Sequence, residues 1–187
     1  MVVGGIDHNN SPTPTVELYY PGSQCTVRLR DAPTANSNPI LCNIGGTIYL
    51  GINSVRITMY KYDFAADNWV NLGPGAVSTS DHGRDSFTCR SSSIFVANDD
   101  YPEVFDATTK KWTSYNFIET MAGVGSCVAE TNGIVYSFGG TKTASSKVVQ
   151  YLNLATNKWT VSPTKMSAYT QNGGCSLIPG NRLCILT

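Results

Sequence analysis

The strongest constraint on the fold of this chain is a sequence unit that returns along its whole length. Its fullest copy is Asn132 to Trp159, NGIVYSFGGTKTASSKVVQYLNLATNKW. Ile134 to Phe138 is a β-rich run that the double glycine Gly139-Gly140 is expected to stop, Val148 to Leu154 is a second run broken at Asn153, and Asn157-Lys158-Trp159 turns into a third. Glycine pairs allow a tight turn with positive φ and a close neighbouring backbone. Tryptophan brings a large apolar surface suited to the gap between stacked sheets.

Relatives of the unit recur from end to end. The first holds Val2-Val3-Gly4-Gly5 and Val16 to Pro21. The second holds Ile40 to Cys42, Thr47 to Gly51, Met59 to Asp63 and Asp67-Asn68-Trp69. The third holds Phe87 to Cys89, Ser93 to Val96, Glu103 to Asp106 and Lys110-Lys111-Trp112. The fourth opens at Ser126-Cys127-Val128, and a fifth covers Gly174 to Leu177 and Leu183 to Thr187. Trp69, Trp112 and Trp159 lie 43 and 47 positions apart, a period suited to a four-stranded propeller blade.

Composition narrows the classes of function. Only 14% of the 187 residues are charged, against roughly 25% in ordinary soluble domains, so Ser, Thr, Asn, Gln and Tyr must cover much of the surface. Thirteen basic and thirteen acidic residues cancel, and no basic stripe is available for a nucleic acid. No apolar run approaches the roughly 20 residues of a membrane-spanning helix. The opening MVVGGIDHNN lacks the charged and long apolar regions of a signal peptide. Apolar runs of four to six residues, divided by Gly, Pro, Asn and Asp, predict an all-β chain.

With these residues in view, the chain resembles a set of kelch repeats. Gly4-Gly5 and Gly139-Gly140 match the family's diglycine, Tyr151 to Trp159 matches its Tyr-to-Trp spacing, and Tyr62-Asp63 to Trp69 is a shorter version. Gly51-Ile52 and Ala97-Asn98 depart from the diglycine, and Gln24-Cys25 stands where the first unit should carry Trp. The resemblance implies a β-propeller of four-stranded antiparallel kelch-type blades, about four in this span. An all-β sandwich with chance spacing is the alternative. The expected blades are 1–36 (with 174–187 as a partial blade), 37–84, 85–123 and 124–173. They form one propeller domain, or part of a larger one. Both termini would supply the second strand of a blade, and three arrangements accommodate that: a closed four-bladed ring, a piece of a longer kelch chain, or a blade completed by a neighbouring molecule. The piece of a longer chain is favoured.

Strand assignment places Cys42, Cys89, Cys127 and Cys175 on the innermost strands, where buried free thiols acting as small hydrophobes are expected in preference to disulfides between them. Cys25 and Cys42 form a possible disulfide by resemblance to secreted animal kelch-like proteins. Asn9-Asn10-Ser11 is a glycosylation sequon on an expected exposed loop. With six cysteines and low charge, it favours an extracellular location over a cytoplasmic one.

Candidate chemistry is sparse. His8 and His82 both fall in polar loops, and no third or fourth ligand has zinc or copper spacing. Asp99-Asp100-Tyr101 could offer carboxylates to calcium but reads better as a turn. Gly73-Pro74-Gly75 and Gly123-Val124-Gly125 read as connections between blades. No catalytic constellation and no cofactor are expected. The expected function is non-catalytic: an extracellular protein-binding, adhesion or assembly module. Its partner would be another protein or a second copy, with a glycan also conceivable and nucleic acid and membrane insertion excluded. Candidate partner-contacting loop residues are His8, Asn9 and Asn10, then Asp81, His82 and Arg84, then Asp99, Asp100 and Tyr101. The alternatives are a carbohydrate-active enzyme on the same scaffold, similar to galactose oxidase or a sugar isomerase, and an intracellular kelch substrate receptor.

Overall fold

The computed structural model describes residues 1–53, 56–78, 86–97, 102–115, 124–141, 147–168, 174–178 and 182–186. These residues form seventeen β-strands and no helix. The first sheet joins β1 (Val2–Val3), β2 (Val16–Tyr20) and β3 (Cys25–Arg28). The second joins β4 (Ile40–Ile44), β5 (Thr47–Ile52), β6 (Arg56–Asp63) and β7 (Asn68–Ser78). The third joins β8 (Ser86–Cys89), β9 (Ser93–Ala97), β10 (Glu103–Asp106) and β11 (Lys111–Ser114). The fourth joins β12 (Val124–Thr131), β13 (Ile134–Thr141), β14 (Val149–Asn153) and β15 (Lys158–Val161), and a last pair joins β16 (Gly174–Ile178) to β17 (Arg182–Leu186). Within each sheet, strands that follow one another in sequence pair antiparallel, so each sheet is a meander.

Met1–Ser78 and Thr79–Thr187 are two compact units. In the first, Val3 and Val16 of the first sheet and Ala32 after it pack with Leu50, Ile52, Tyr62 and Trp69 of the second. In the second, Phe95, Ala97 and Val104 of the third sheet pack with Val128, Val135, Leu152 and Trp159 of the fourth. Each core lies between the faces of consecutive sheets. Trp69, Trp112 and Trp159 sit on the last strands of three separate sheets rather than side by side in one, as stacked blades require.

One hairpin recurs in these three sheets. Asp63, Asp106 and Asn153 each close the third strand, and their Oδ1 atoms accept from the backbone N–H groups two and three residues on: Ala65 and Ala66, Thr108 and Thr109, Ala155 and Thr156. Such side-chain turns are what Asp and Asn do best. The next residue with positive φ is Asp67, Lys110 or Asn157, and the Trp follows two residues later. There it pairs across the strands with Tyr62, Phe105 or Leu152. The Tyr62 and Trp69 rings meet edge-on at 4.8 Å, and those of Phe105 and Trp112 lie 5.2 Å apart.

Several local expectations are corrected. Gly139-Gly140 does not stop its strand, because β13 runs on to Thr141 with Gly139 at φ 67° and still paired to Ser126. Gly73-Pro74-Gly75 lies inside β7, where Gly73 has φ 96° and the register against β6 shifts nearby. Val124 and Gly125 belong to β12. In the first sheet the positive-φ residue is Gln24, so Thr26, two positions on, stands in the place of Trp.

The cysteines also differ from expectation. Cys127 on β12 and Cys175 on β16 form a disulfide with Cα atoms 5.8 Å apart, and Cys42 and Cys89 are likewise disulfide-bonded. These four are therefore not free thiols. Cys127 and Cys175 lie on the first strands of consecutive sheets of the second unit, close enough for their sulfurs to join, which outweighs the use of cysteine as a small hydrophobe. The Cys25–Cys42 pairing does not form: Cys25 is a free, exposed thiol on β3, with its Sγ 2.9 Å from the Ser23 hydroxyl. It lies on the last strand of one sheet, whereas Cys42 lies on the first strand of the next.

Candidate interaction face

Because every sheet is a meander, alternate connections leave from opposite ends. Within each four-stranded or three-stranded sheet the short turns, 21–24 in the first, 45–46 and 64–67 in the second, 90–92 and 107–110 in the third, 132–133 and 154–157 in the fourth, lie at one end. In the first sheet the connections 4–15 and 29–39 leave from the opposite end. These two are long, and connections on rigid sheets are where recognition is usually built.

In the first unit this end is well ordered by hydrogen bonds. Asp7 Oδ1 accepts from the backbone N–H groups of Asn9 and Ser11, each at 2.9 Å, and Asn10 N–H donates to the Asp7 carbonyl at 3.0 Å. His8, Asn9 and Asn10 are thus presented, all exposed, on a turn built around Asp7, with Asn10 at φ 63°. The sequon asparagine Asn9 lies on this turn. The turn's base is sealed to the connection 29–39, where Gly5 N–H donates to the Asn36 carbonyl and Ala32 N–H to that of Pro14, at 2.9 and 2.8 Å. Asn36 Nδ2 donates in turn to the Asn53 carbonyl at 3.2 Å. Asn36 therefore links three connections. No sequence signal singled it out, because its role depends on chain segments meeting from afar.

A second cluster ties the first sheet to the second. Asp67 Oδ1 accepts from Arg30 N–H at 3.0 Å and from the Tyr62 hydroxyl, while Trp69 Nε1 donates to the Arg30 carbonyl at 3.3 Å. Burial, and then the Asp67 carboxylate beside it, push the Tyr62 phenol up to about 12. The same bond from Tyr62, followed by the Arg30 N–H, holds Asp67 below the ordinary carboxylate range. The cluster is a joint between sheets: it offers no open nucleophile and no acid–base pair.

In the second unit, Arg90 Nε lies 3.4 Å from Glu130 Oε2, and Arg90 also donates to the Ser93 hydroxyl at 3.1 Å. Glu130 Oε1 accepts from Gly133 N–H at 2.7 Å. The ion pair thereby fixes the 90–92 turn of the third sheet to the 132–133 turn of the fourth. Glu103, fully buried on β10, accepts from the Ser114 hydroxyl at 3.1 Å. Among the described residues no three His, Cys, Asp or Glu side chains are grouped to hold a metal ion.

The structure brings His8, Asn9 and Asn10 together on one turn. Asp81, His82, Arg84, Asp99, Asp100 and Tyr101 lie outside the described residues.

Comparison with known proteins agrees with this architecture. The Kelch motif matches residues 122–166, which include the whole fourth sheet. Among solved structures, that of YjhT, a kelch-type propeller, is similar with a TM-score of 0.76. The match covers 99% of this chain and 76% of that one at 13% identity, a likeness of fold. No curated protein matches the sequence.

Proposed function

We propose that this chain, an all-β protein with a Kelch motif and the fold of a kelch-type propeller, is a non-catalytic protein-binding or assembly module that works outside the cell. The observation that carries the reading is the asymmetry of the first sheet's connections, with the tight turn 21–24 at one end and the long polar connections 4–15 and 29–39 at the other. The paired cysteines on first strands support an oxidising compartment. Kelch repeats commonly mediate contacts between proteins, and the exposed His8–Asn10 turn gives such a contact a rigidly held polar tip.

The test is a comparison of two surfaces on secreted full-length protein. Replacing His8, Asn9 and Asn10 together by alanine should abolish capture of a protein partner from extracellular fluid, and Lys158→Ala, at the tight-turn end, should leave it intact. Capture that survives the loop triple but fails with Lys158→Ala would overturn the placement of the surface. Stoichiometric copper in the purified protein, or turnover of a simple sugar, would overturn the non-catalytic assignment. Cys42 and Cys89 found as thiols in protein from its native source would overturn the extracellular one.

A further inference from the structure

The last two strands are attached differently from the others. β16 and β17 form a sheet of only two strands, an arrangement marginal in water without other support. That support comes from β12, with which β16 is in contact and to which Cys175 is covalently joined through Cys127. Residues 162–173 separate β15 from β16 in sequence.

Alternation along the strands shows from which face of the fourth sheet the disulfide leaves. On the fourth sheet Val128, Val135, Leu152 and Trp159 point towards the third sheet. Cys127 points the other way and shares its face with its cross-strand partner Phe138, with Ala129, and with the directly opposed Tyr136 and Tyr151. The Tyr136 ring stacks on Phe138 at 6.2 Å and meets that of Tyr151 at 5.8 Å. Cys127, Ala129 and Phe138 are buried, and the sulfur of Cys127 reaches β16 from this face.

We propose that the Cys127–Cys175 disulfide is a redox latch that holds the β16–β17 hairpin over an aromatic face of the fourth sheet, and that reduction by a dithiol releases the hairpin and uncovers Tyr136, Phe138 and Tyr151. Cys127 is 6% exposed and Cys175 more so, so attack falls on the Cys175 sulfur. One thiolate of the donor bonds to Cys175 and expels Cys127 as thiolate, which takes up a proton. The donor's second thiolate then displaces Cys175, leaving two protein thiols and an oxidised donor disulfide. Two electrons pass from donor to protein. The inference goes beyond the binding role proposed above and does not require it, since it concerns only the second unit.

Hydrogen exchange followed by mass spectrometry tests the latch on the full chain, oxidised, reduced with dithiothreitol, and as the double variant Cys127→Ser with Cys175→Ser. Reduction and the double variant should each raise exchange in 174–178 and 182–186 at least tenfold. Protection of β4–β7 should persist in the double variant, whose Cys42 and Cys89 are untouched. Hydroxyl-radical labelling of Phe138 should rise in parallel. The latch is overturned if the hairpin keeps its oxidised protection when the bond is absent. It is also overturned if the double variant loses protection throughout, which would make the disulfide a requirement of the whole fold.

Discussion

Asp106 and Asn153 hold equivalent turns with chemically different oxygens, and that difference has a consequence with pH. Asp106 is held below the ordinary carboxylate range chiefly by the Thr109 N–H, with Thr108 adding to it. A carboxylate with a depressed folded pKa contributes stability above its unfolded pKa, and that contribution is lost as pH falls through the folded value. Asp106→Asn should keep the turn, as Asn153 does, and flatten the acid limb of a stability-versus-pH curve; an unchanged limb would contradict the assignment. Tyr62 shows the opposite sign. Its phenol is pushed up to about 12, so its contribution is complete below the unfolded value near 10 and lost as pH rises towards 12. Tyr62→Phe should cost about 1 kcal/mol at neutral pH through the lost hydrogen bond. It should also fall less steeply than the parent between those two values, as urea titrations at several pH values would record. Gly4 is constrained by space as well as by conformation. At φ 66° a Cβ would come 2.5 Å from the Asn36 carbonyl oxygen, so Gly4→Ala should lower stability by about 1–3 kcal/mol, measured by denaturant unfolding.

The repeated hairpin is the element that decides how sheets meet. Trp159 is buried with Leu152 and Val135 against the third sheet, and its truncation to alanine should cost about 3–5 kcal/mol in unfolding free energy. Trp112 is only partly buried, and the same change there should cost less. Most strands were legible because Gly, Asn and Asp bound short apolar runs, and the Trp period located the last strand of three units. β3 was not legible as a blade strand, since Thr26 stands in the Trp place and only the positive φ of Gln24 reveals the equivalence. In sequence the diglycine looks like a stop, because sequence shows permissive residues but not whether the neighbouring strand continues, and β12 does continue alongside. The disulfides escaped for another reason: cysteine identity carries no information on the distance between first strands of different sheets. The candidate site was legible only as loop composition. The turn around Asp7 and the bonds of Asn36 depend on tertiary contacts that no local pattern encodes.

At the scale of the molecule, charge and the surface of the first sheet act together. Thirteen basic and thirteen acidic residues leave no net charge, and the isoelectric point is near 6.7, so repulsion between molecules is weakest around neutral pH. The described residues of the second and fourth sheets contribute buried side chains on both faces, such as Met59 and Trp69, or Phe138 and Trp159. The first sheet does not. Val3 and Val16 are buried on one face, while Val2 and Tyr19, on the other, are 62% and 49% exposed. Tyr19 is the positional counterpart of Tyr62, Phe105 and Leu152, the residues that elsewhere pack beneath Trp, but it has Thr26 as its cross-strand partner. An exposed aromatic residue in a core-type position, on a chain of zero net charge, favours association. Light scattering on the full chain should therefore show the largest particles near pH 6.7 and smaller ones at pH 9. Tyr19→Lys should reduce the association at pH 6.7 by adding charge where the apolar ring stood, while changing the unfolding midpoint little, because that side chain is not part of the core. Association that peaks away from the isoelectric point, or that is indifferent to Tyr19→Lys, would place its cause elsewhere than on this sheet.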